Sequence, residues 1–302
     1  MSRFSKALIV LLLLLGAGYY WLLVDDGPAS APIRTIDIAQ VRKAAVALPG
    51  DRPIALEYAV IATRRVPGAL LAAGTGLRQI TTGVMAWRIA TPRGGIVVDS
   101  GLSPADAKRM GYTLYDKRAE ALVGRWMDDA ELIMFTHEHI DHVGGFLDRP
   151  HFENVAAKAV LSAGIVQGMT ALWRENAQSL PTPRTLAPIE PIAPGVVLIQ
   201  TPGHTPASQM IYVQLQNGRE YLFAGDTASL ANNVILKRPR ARLLTDWVVK
   251  EDRVATLGWI EGLNALRSKN EKIVIIPSHD PEWIAATAQR DGFTAASTQP
   301  GP

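Results

Sequence analysis

The chain has 302 residues, 48% hydrophobic and 20% charged, enough to bury a full core, and no low-complexity stretch interrupts its middle. Its formal charge of +3 is spread over interspersed acids and bases, without the long Lys/Arg run and interleaved aromatics of a nucleic-acid surface, so no nucleic-acid partner is expected. Cysteine is absent, which excludes disulfides and leaves only nitrogen and oxygen donors for any metal.

Arg3 and Lys6 precede an uncharged stretch, residues 7–24, that Asp25 and Asp26 close. It is long enough to cross a bilayer, with Tyr19, Tyr20 and Trp21 suited to the far interface. The competing reading is a signal peptide cut at Ala29-Ser30-Ala31. Pro32 would follow that cut, and the apolar run is longer than a usual signal core, so an uncleaved anchor is favoured. The positive-inside rule leaves the N-terminus cytoplasmic. The remainder then lies on the outer, periplasmic side of a bacterial-type inner membrane; after cleavage it would be released into the periplasm. The chain divides into residues 1–24 as anchor or signal segment, 25–32 (Asp-Asp-Gly-Pro-Ala-Ser-Ala-Pro) as linker, and 33–302 as one large domain.

Beyond the linker, β-type runs at 54–62, 77–82, 84–90 and 95–99 are separated by turn signals at Pro67-Gly68, Gly74, Gly76 and Pro92-Arg93-Gly94-Gly95. They predict an antiparallel meander. Ser103 suits the N-cap of a helix reaching to about residue 122. Strands are then expected at 132–135 and 159–161, a helix at 163–178, and strands at 196–200, 209–215 and 220–224. A helix over 246–268 and a buried strand at 272–277 complete the pattern. Two strand groups with helices interspersed predict two sheets face to face with helices outside, a four-layer α/β fold.

The chemistry concentrates in Thr136-His137-Glu138-His139-Ile140-Asp141-His142. Three of the chain's six histidines and two carboxylates sit in this one run after an apolar strand. Imidazole and carboxylate are the usual oxygen and nitrogen ligands of zinc, and one loop can aim them in two directions. Asp99, His204, Asp226 and His279 each follow an apolar strand and precede turn chemistry, where a rigid scaffold can bring ligands together from distant sequence. His151 fits no such position and reads as a surface histidine. Glu138 reads as pointing away from the metals. The cations Lys237, Arg238, Arg240 and Arg242 read as a solvated basic loop, with contact to an anionic substrate as the alternative. Met169 and Trp173 read as core or as apolar pocket wall.

Taken in order, Asp99, His137-x-His139-x-Asp141-His142, His204, Asp226 and His279 resemble the metallo-β-lactamase superfamily. The resemblance implies an αββα sandwich, residues 33–302, with two divalent metal ions, zinc first among them, at one edge. It assigns His137, His139 and His204 to one ion and Asp141, His142 and His279 to the other. Asp226 would bridge them, and Asp99 would orient the ligand loop. It also implies a hydrolase acting on a small molecule, with a hydroxide between the metals cleaving an ester, lactone or thioester bond and Asp141 handling protons. A bridging Asp226 fits the glyoxalase-II-like and lactonase-like branches better than true β-lactamases, which lack it. Acyl-homoserine lactonases usually carry Tyr three residues after that Asp, where this chain has Ser229. The alternatives are a single-iron sulfur-dioxygenase-like enzyme, a β-lactamase-like or phosphodiesterase activity, and an inactive metal-binding scaffold.

Overall fold

The computed structural model describes residues 1–28, 31–269 and 272–296; the candidate cleavage site at Ala29-Ser30 therefore lies outside the described residues. Helix α1 (Arg3–Tyr19) continues through a π-type turn, Tyr20–Val24, and none of its side chains is buried. Two sheets then form. The first runs in the order β11-β1-β2-β3-β5, with β4 also paired to β1. Its strands are β1 (Ala55–Pro67), β2 (Gln79–Thr91), β3 (Gly94–Val98), β4 (Leu114–Tyr115), β5 (Leu132–Met134) and β11 (Phe293–Ala295). The second runs β10-β9-β8-β7-β6. It consists of β6 (Ile189–Ala193), β7 (Val196–Gln200), β8 (Gln209–Gln214), β9 (Glu220–Phe223) and β10 (Ile273–Ile276).

The helices, in chain order after α1, begin with α2 (Ile38–Ala45), α3 (Gly68–Leu71), α4 (Pro104–Arg109), α5 (Lys117–Asp129) and α6 (Ile140–Leu147). They continue with α7 (Phe152–Ala156), α8 (Ala163–Ala171), α9 (Ala231–Leu236), α10 (Arg242–Thr245), α11 (Arg253–Lys269) and α12 (Pro281–Asp291).

Alternation along the strands builds the layers. Ile96 and Val98 point between the sheets, where they meet Val196, Leu198, Ile211, Val213 and Phe223. Their neighbour Val97 turns outward and packs with Val123, Trp126 and Met127 of α5 and Phe146 of α6. On the second sheet Val197 and Ile199 turn outward onto Val41 of α2 and Trp259 and Leu263 of α11. Side chains of period two thus feed one inner and two outer cores. The result is the four-layer αββα sandwich, preceded by an apolar helix. Trp87 anchors the inner core, with the rings of Tyr58, Phe223 and Phe293 each 5.3 Å away.

Several expected elements differ, and the strands expected at 77–82 and 84–90 form the single strand β2. The helix expected from Ser103 to about 122 is two helices, α4 and α5. Gly111 takes φ +75° between them, β4 pairs with β1, and Asp116 caps a new start by accepting from the Arg118 and Ala119 N–H groups. The helix expected over 163–178 ends at Ala171, where Trp173 adopts the left-handed φ of +55°. The helix expected from 246 starts at Arg253, and the short α10 precedes it. Residues 159–161 form only an isolated bridge, Ala159 to Ile133.

Candidate metal centre

The five chain segments that carry the candidate residues follow β3, β5, β7, β9 and β10. β3 and β5 are parallel, as are β9 and β10, and β7 is antiparallel to β8, which is antiparallel to β9. Within each sheet these strands therefore run one way, and their C-terminal ends form a common edge. His137 to His142 leave β5 and turn into α6, with His139 at its N-cap and Asp141 in its first turn. A carboxylate there sits favourably against the positive end of the helix dipole. Gly225 takes φ +53° and brings the Asp226 loop so close that a Cβ would lie 2.9 Å from the Thr136 Cβ.

The seven residues assemble into two groups. His137 Nε2 and His204 Nε2 each stand 3.0 Å from His139 Nδ1, and Asp226 Oδ2 lies 3.9 Å from His137 Nε2 and 3.5 Å from His204 Nε2. In the other group His142 Nε2 and His279 Nε2 are 3.3 Å apart, and Asp141 Oδ2 is 3.6 Å from His279 Nε2. The second oxygen of Asp226, Oδ1, lies 2.9 Å from His279 Nε2 and 3.4 Å from His142 Nε2. Ligand atoms about 2.1 Å from a tetrahedral ion stand about 3.4 Å apart, so both groups have the spacing of metal donors. All the donors are nitrogen or oxygen, and each group could hold one divalent ion.

Charge within the site follows the same division. Burial holds His137, His139 and His204 below the ordinary imidazole range, which keeps them neutral with a lone pair free. Burial also opposes a charge on His142, but the carboxylates of Asp99, Asp141 and Asp226 outweigh it and raise its pKa well above the usual value. His279 is raised in the same way, by Asp226 and Asp141 against its burial. Burial alone would raise Asp226; His279, Arg240 and His142 overcome that and hold it well below the usual carboxylate range. Carboxylates thus dominate the surroundings of the two imidazoles of the second group.

Supporting residues fix these rings. Asp99, at the left-handed φ of +58°, accepts from the Thr136 N–H at 2.8 Å and lies 2.9 Å from His142 Nδ1. His279 Nδ1 stands 2.8 Å from the Gly83 carbonyl, which leaves its Nε2 toward Asp226. His204 Nδ1 stands 3.0 Å from Glu251 Oε2 and 2.7 Å from the Arg240 guanidinium. Arg240 also donates to the Asp226 carbonyl at 2.6 Å and lies 3.2 Å from Asp226 Oδ2.

Arg240 is therefore not part of a solvated loop: it is buried against the candidate ligands. Its neighbours Arg238 and Arg242 pair with Asp26 and Asp25. Glu251 escapes sequence reasoning because nothing around Lys250-Glu251-Asp252 marks it from an ordinary charged turn. Its side chain is fully buried, and burial pushes its carboxyl up to about 7.

Of the other residues singled out, Glu138 turns aside to accept from the Thr205 hydroxyl at 2.9 Å. His151 is exposed, Met169 is core, and Trp173 is 90% exposed. Ser229 is buried, and its carbonyl accepts the His279 N–H at 2.9 Å. Tyr112, in the break between α4 and β4, has its ring 4.9 Å from the Arg64 guanidinium, and burial, with the charges of Asp141 and Asp226, raises its pKa.

The fold is shared with solved lactonases. The chain is similar to a quorum-quenching N-acyl homoserine lactone lactonase, at 21% identity over 78% of this chain and 95% of that one, with a TM-score of 0.59. An N-acyl homoserine lactone hydrolase with N-hexanoyl-L-homoserine at its catalytic metal centre aligns at 21% identity, over 78% and 96% of the two chains, with a TM-score of 0.58. A probable metal-dependent hydrolase from Staphylococcus aureus aligns at 15% identity over 77% and 91%, with a TM-score of 0.52. No curated protein matches the sequence significantly. The family model of the metallo-β-lactamase superfamily matches residues 80–279, from the second strand to the last candidate ligand. The chain belongs to the metallo-β-lactamase superfamily.

Proposed function

We propose that the chain is a metal-dependent hydrolase that holds two divalent ions, zinc first among them, and cleaves an ester, lactone or thioester bond in a small molecule. The observation that carries this reading is the Asp226 carboxylate, which faces each histidine group with a different oxygen. His137, His139 and His204 would hold one ion, Asp141, His142 and His279 the other, and Asp226 both. When bound, such a pair supplies water activated near neutral pH and Lewis acidity toward a carbonyl oxygen.

The chain's own residues do the rest. Asp99, Glu251 and the Gly83 carbonyl fix the ring orientations of His142, His204 and His279. Asp141 keeps Oδ2 toward His279 and leaves Oδ1 to accept a proton from the attacking water and return it to the leaving alkoxide or thiolate. Asp226 and the lactonases of similar fold support ester-like bonds. Ser229, where acyl-homoserine lactonases usually carry Tyr, keeps the substrate class general. The apolar helix α1 would tether the catalytic domain to the outer face of the membrane, with residues 1–24 retained.

A hydrolysis screen of the detergent-solubilised, metal-quantified full chain tests the reading. It should span lactones of varied acyl length, thioesters, aryl esters, β-lactams and phosphodiesters. Turnover of lactones, esters or thioesters is expected. Strong β-lactam turnover with none of these would contradict it.

A further inference from the structure

The end of the apolar helix is gripped by two loops of the large domain. The Arg242 guanidinium lies 4.2 Å from the centre of the Trp21 ring and pairs with Asp25, and Arg238 pairs with Asp26. Beside Arg238, the Gly74 N–H donates to the Leu23 carbonyl at 2.9 Å. Both gripping loops hold large apolar side chains out to solvent. Leu77 is 54% exposed, Trp247 66% and Val248 70%. Leu77 is three residues from Gly74 and Trp247 five from Arg242. At no more than about 3.6 Å per residue they lie within roughly 11 and 18 Å of the grip.

Singly exposed apolar residues need no explanation, but these flank one point from two separate loops. That point is the Tyr19-Tyr20-Trp21 end of a helix with the length and hydropathy of a membrane span. Aromatic side chains at such an end sit at headgroup level, so loops fastened to Trp21 and Leu23 are held at the same level.

We propose that Leu77, Trp247 and Val248 form a second membrane contact, inserting into the headgroup–acyl boundary of the bilayer that α1 crosses. The proposal rests on the reading of α1 as a membrane anchor. The domain is then docked on the bilayer in one orientation rather than swinging on a tether. The segment that carries Trp247 outward also carries Arg240 inward to His204 and Asp226, so docked face and catalytic edge share one stretch of chain.

The chain has no cysteine, so single substitutions can be labelled without background. Leu77→Cys, Trp247→Cys and Val248→Cys would each carry an environment-sensitive fluorophore in the full chain, reconstituted into phosphatidylcholine vesicles with or without shallow doxyl-labelled lipid. Leu13→Cys, within α1, and Arg125→Cys, exposed on α5, are the references. Blue-shifted emission and doxyl quenching are expected at all three loop positions and not at 125. Quenching at 13 with water-like emission at the loop positions overturns the docking and leaves the anchor standing. Water-like emission at 13 as well overturns both. A shift at the loop positions that depends on protein-to-lipid ratio, without doxyl quenching, assigns the surface to a second copy and also overturns the proposal.

Discussion

Glu251 Oε2 stands 3.0 Å from His204 Nδ1, the ring nitrogen turned away from His139, while Nε2 lies 3.0 Å from His139 Nδ1. A neutral imidazole has one donor and one acceptor nitrogen. An arginine can only donate, so an Arg240 bond to Nδ1 would leave the proton on Nε2, facing His139 and Asp226. A carboxylate accepts from Nδ1–H and frees the Nε2 lone pair. Ligation through Nε2 therefore requires Glu251 rather than Arg240 to be the Nδ1 partner. Replacing Glu251→Gln should weaken binding of one divalent ion by about 10–100-fold. Competition against a chromophoric chelator measures this, and an unchanged affinity would remove Glu251 from the site.

Metal uptake should release protons. His142 is raised well above the ordinary imidazole pKa and His279 is raised, so both hold protons to a higher pH than a free histidine. A ligating imidazole must be neutral, so those protons leave on binding below the raised pKa, in addition to any lost by metal-bound water. Calorimetric binding enthalpy should therefore vary with buffer ionisation enthalpy, more steeply as pH falls through the raised range of His142 and His279. A flat dependence would contradict the charge assignment.

Asp141→Asn keeps shape and hydrogen bonding but cannot carry a proton. The kcat of the preferred ester or lactone should fall by about 10²–10⁴. Metal content should fall far less than in His139→Ala. Equal turnover with full metal occupancy would show that the proton travels elsewhere.

A stability change is expected at Gly145, on the helix that begins with Asp141 and His142. A Cβ there would stand 2.2 Å from the Ser100 carbonyl oxygen, a backbone atom that cannot step aside. Gly145→Ala should destabilise the fold by roughly 1–3 kcal/mol through overpacking, read as a lowered Tm. The metal-free Tm should fall as well, since the clash does not involve the ligands.

Much of the architecture was legible in the sequence, because short apolar runs bounded by turn signals mark buried strands and each candidate ligand follows one. Asp99, His137, His139, Asp141, His142, His204, Asp226 and His279 all reach one edge as their strand positions implied. What was not legible depends on burial. Arg240 and Glu251 look like any charged loop residues, and only packing under α10 and α11 turns them toward His204. The break between α4 and α5 hid because Ser103 and the following helix formers predict a continuous helix. The break at Gly111 comes from pairing of β4 with β1, a tertiary contact that local propensity does not record.

The central claim is a two-ion centre shared through Asp226. It is tested most directly by metal stoichiometry of the purified full chain, wild type and Asp226→Asn, by plasma mass spectrometry together with hydrolytic rate. Two divalent ions per chain in the wild type are expected, falling to one or fewer in Asp226→Asn with loss of turnover. A single iron per chain in active wild type, unaffected by that substitution, would contradict the account.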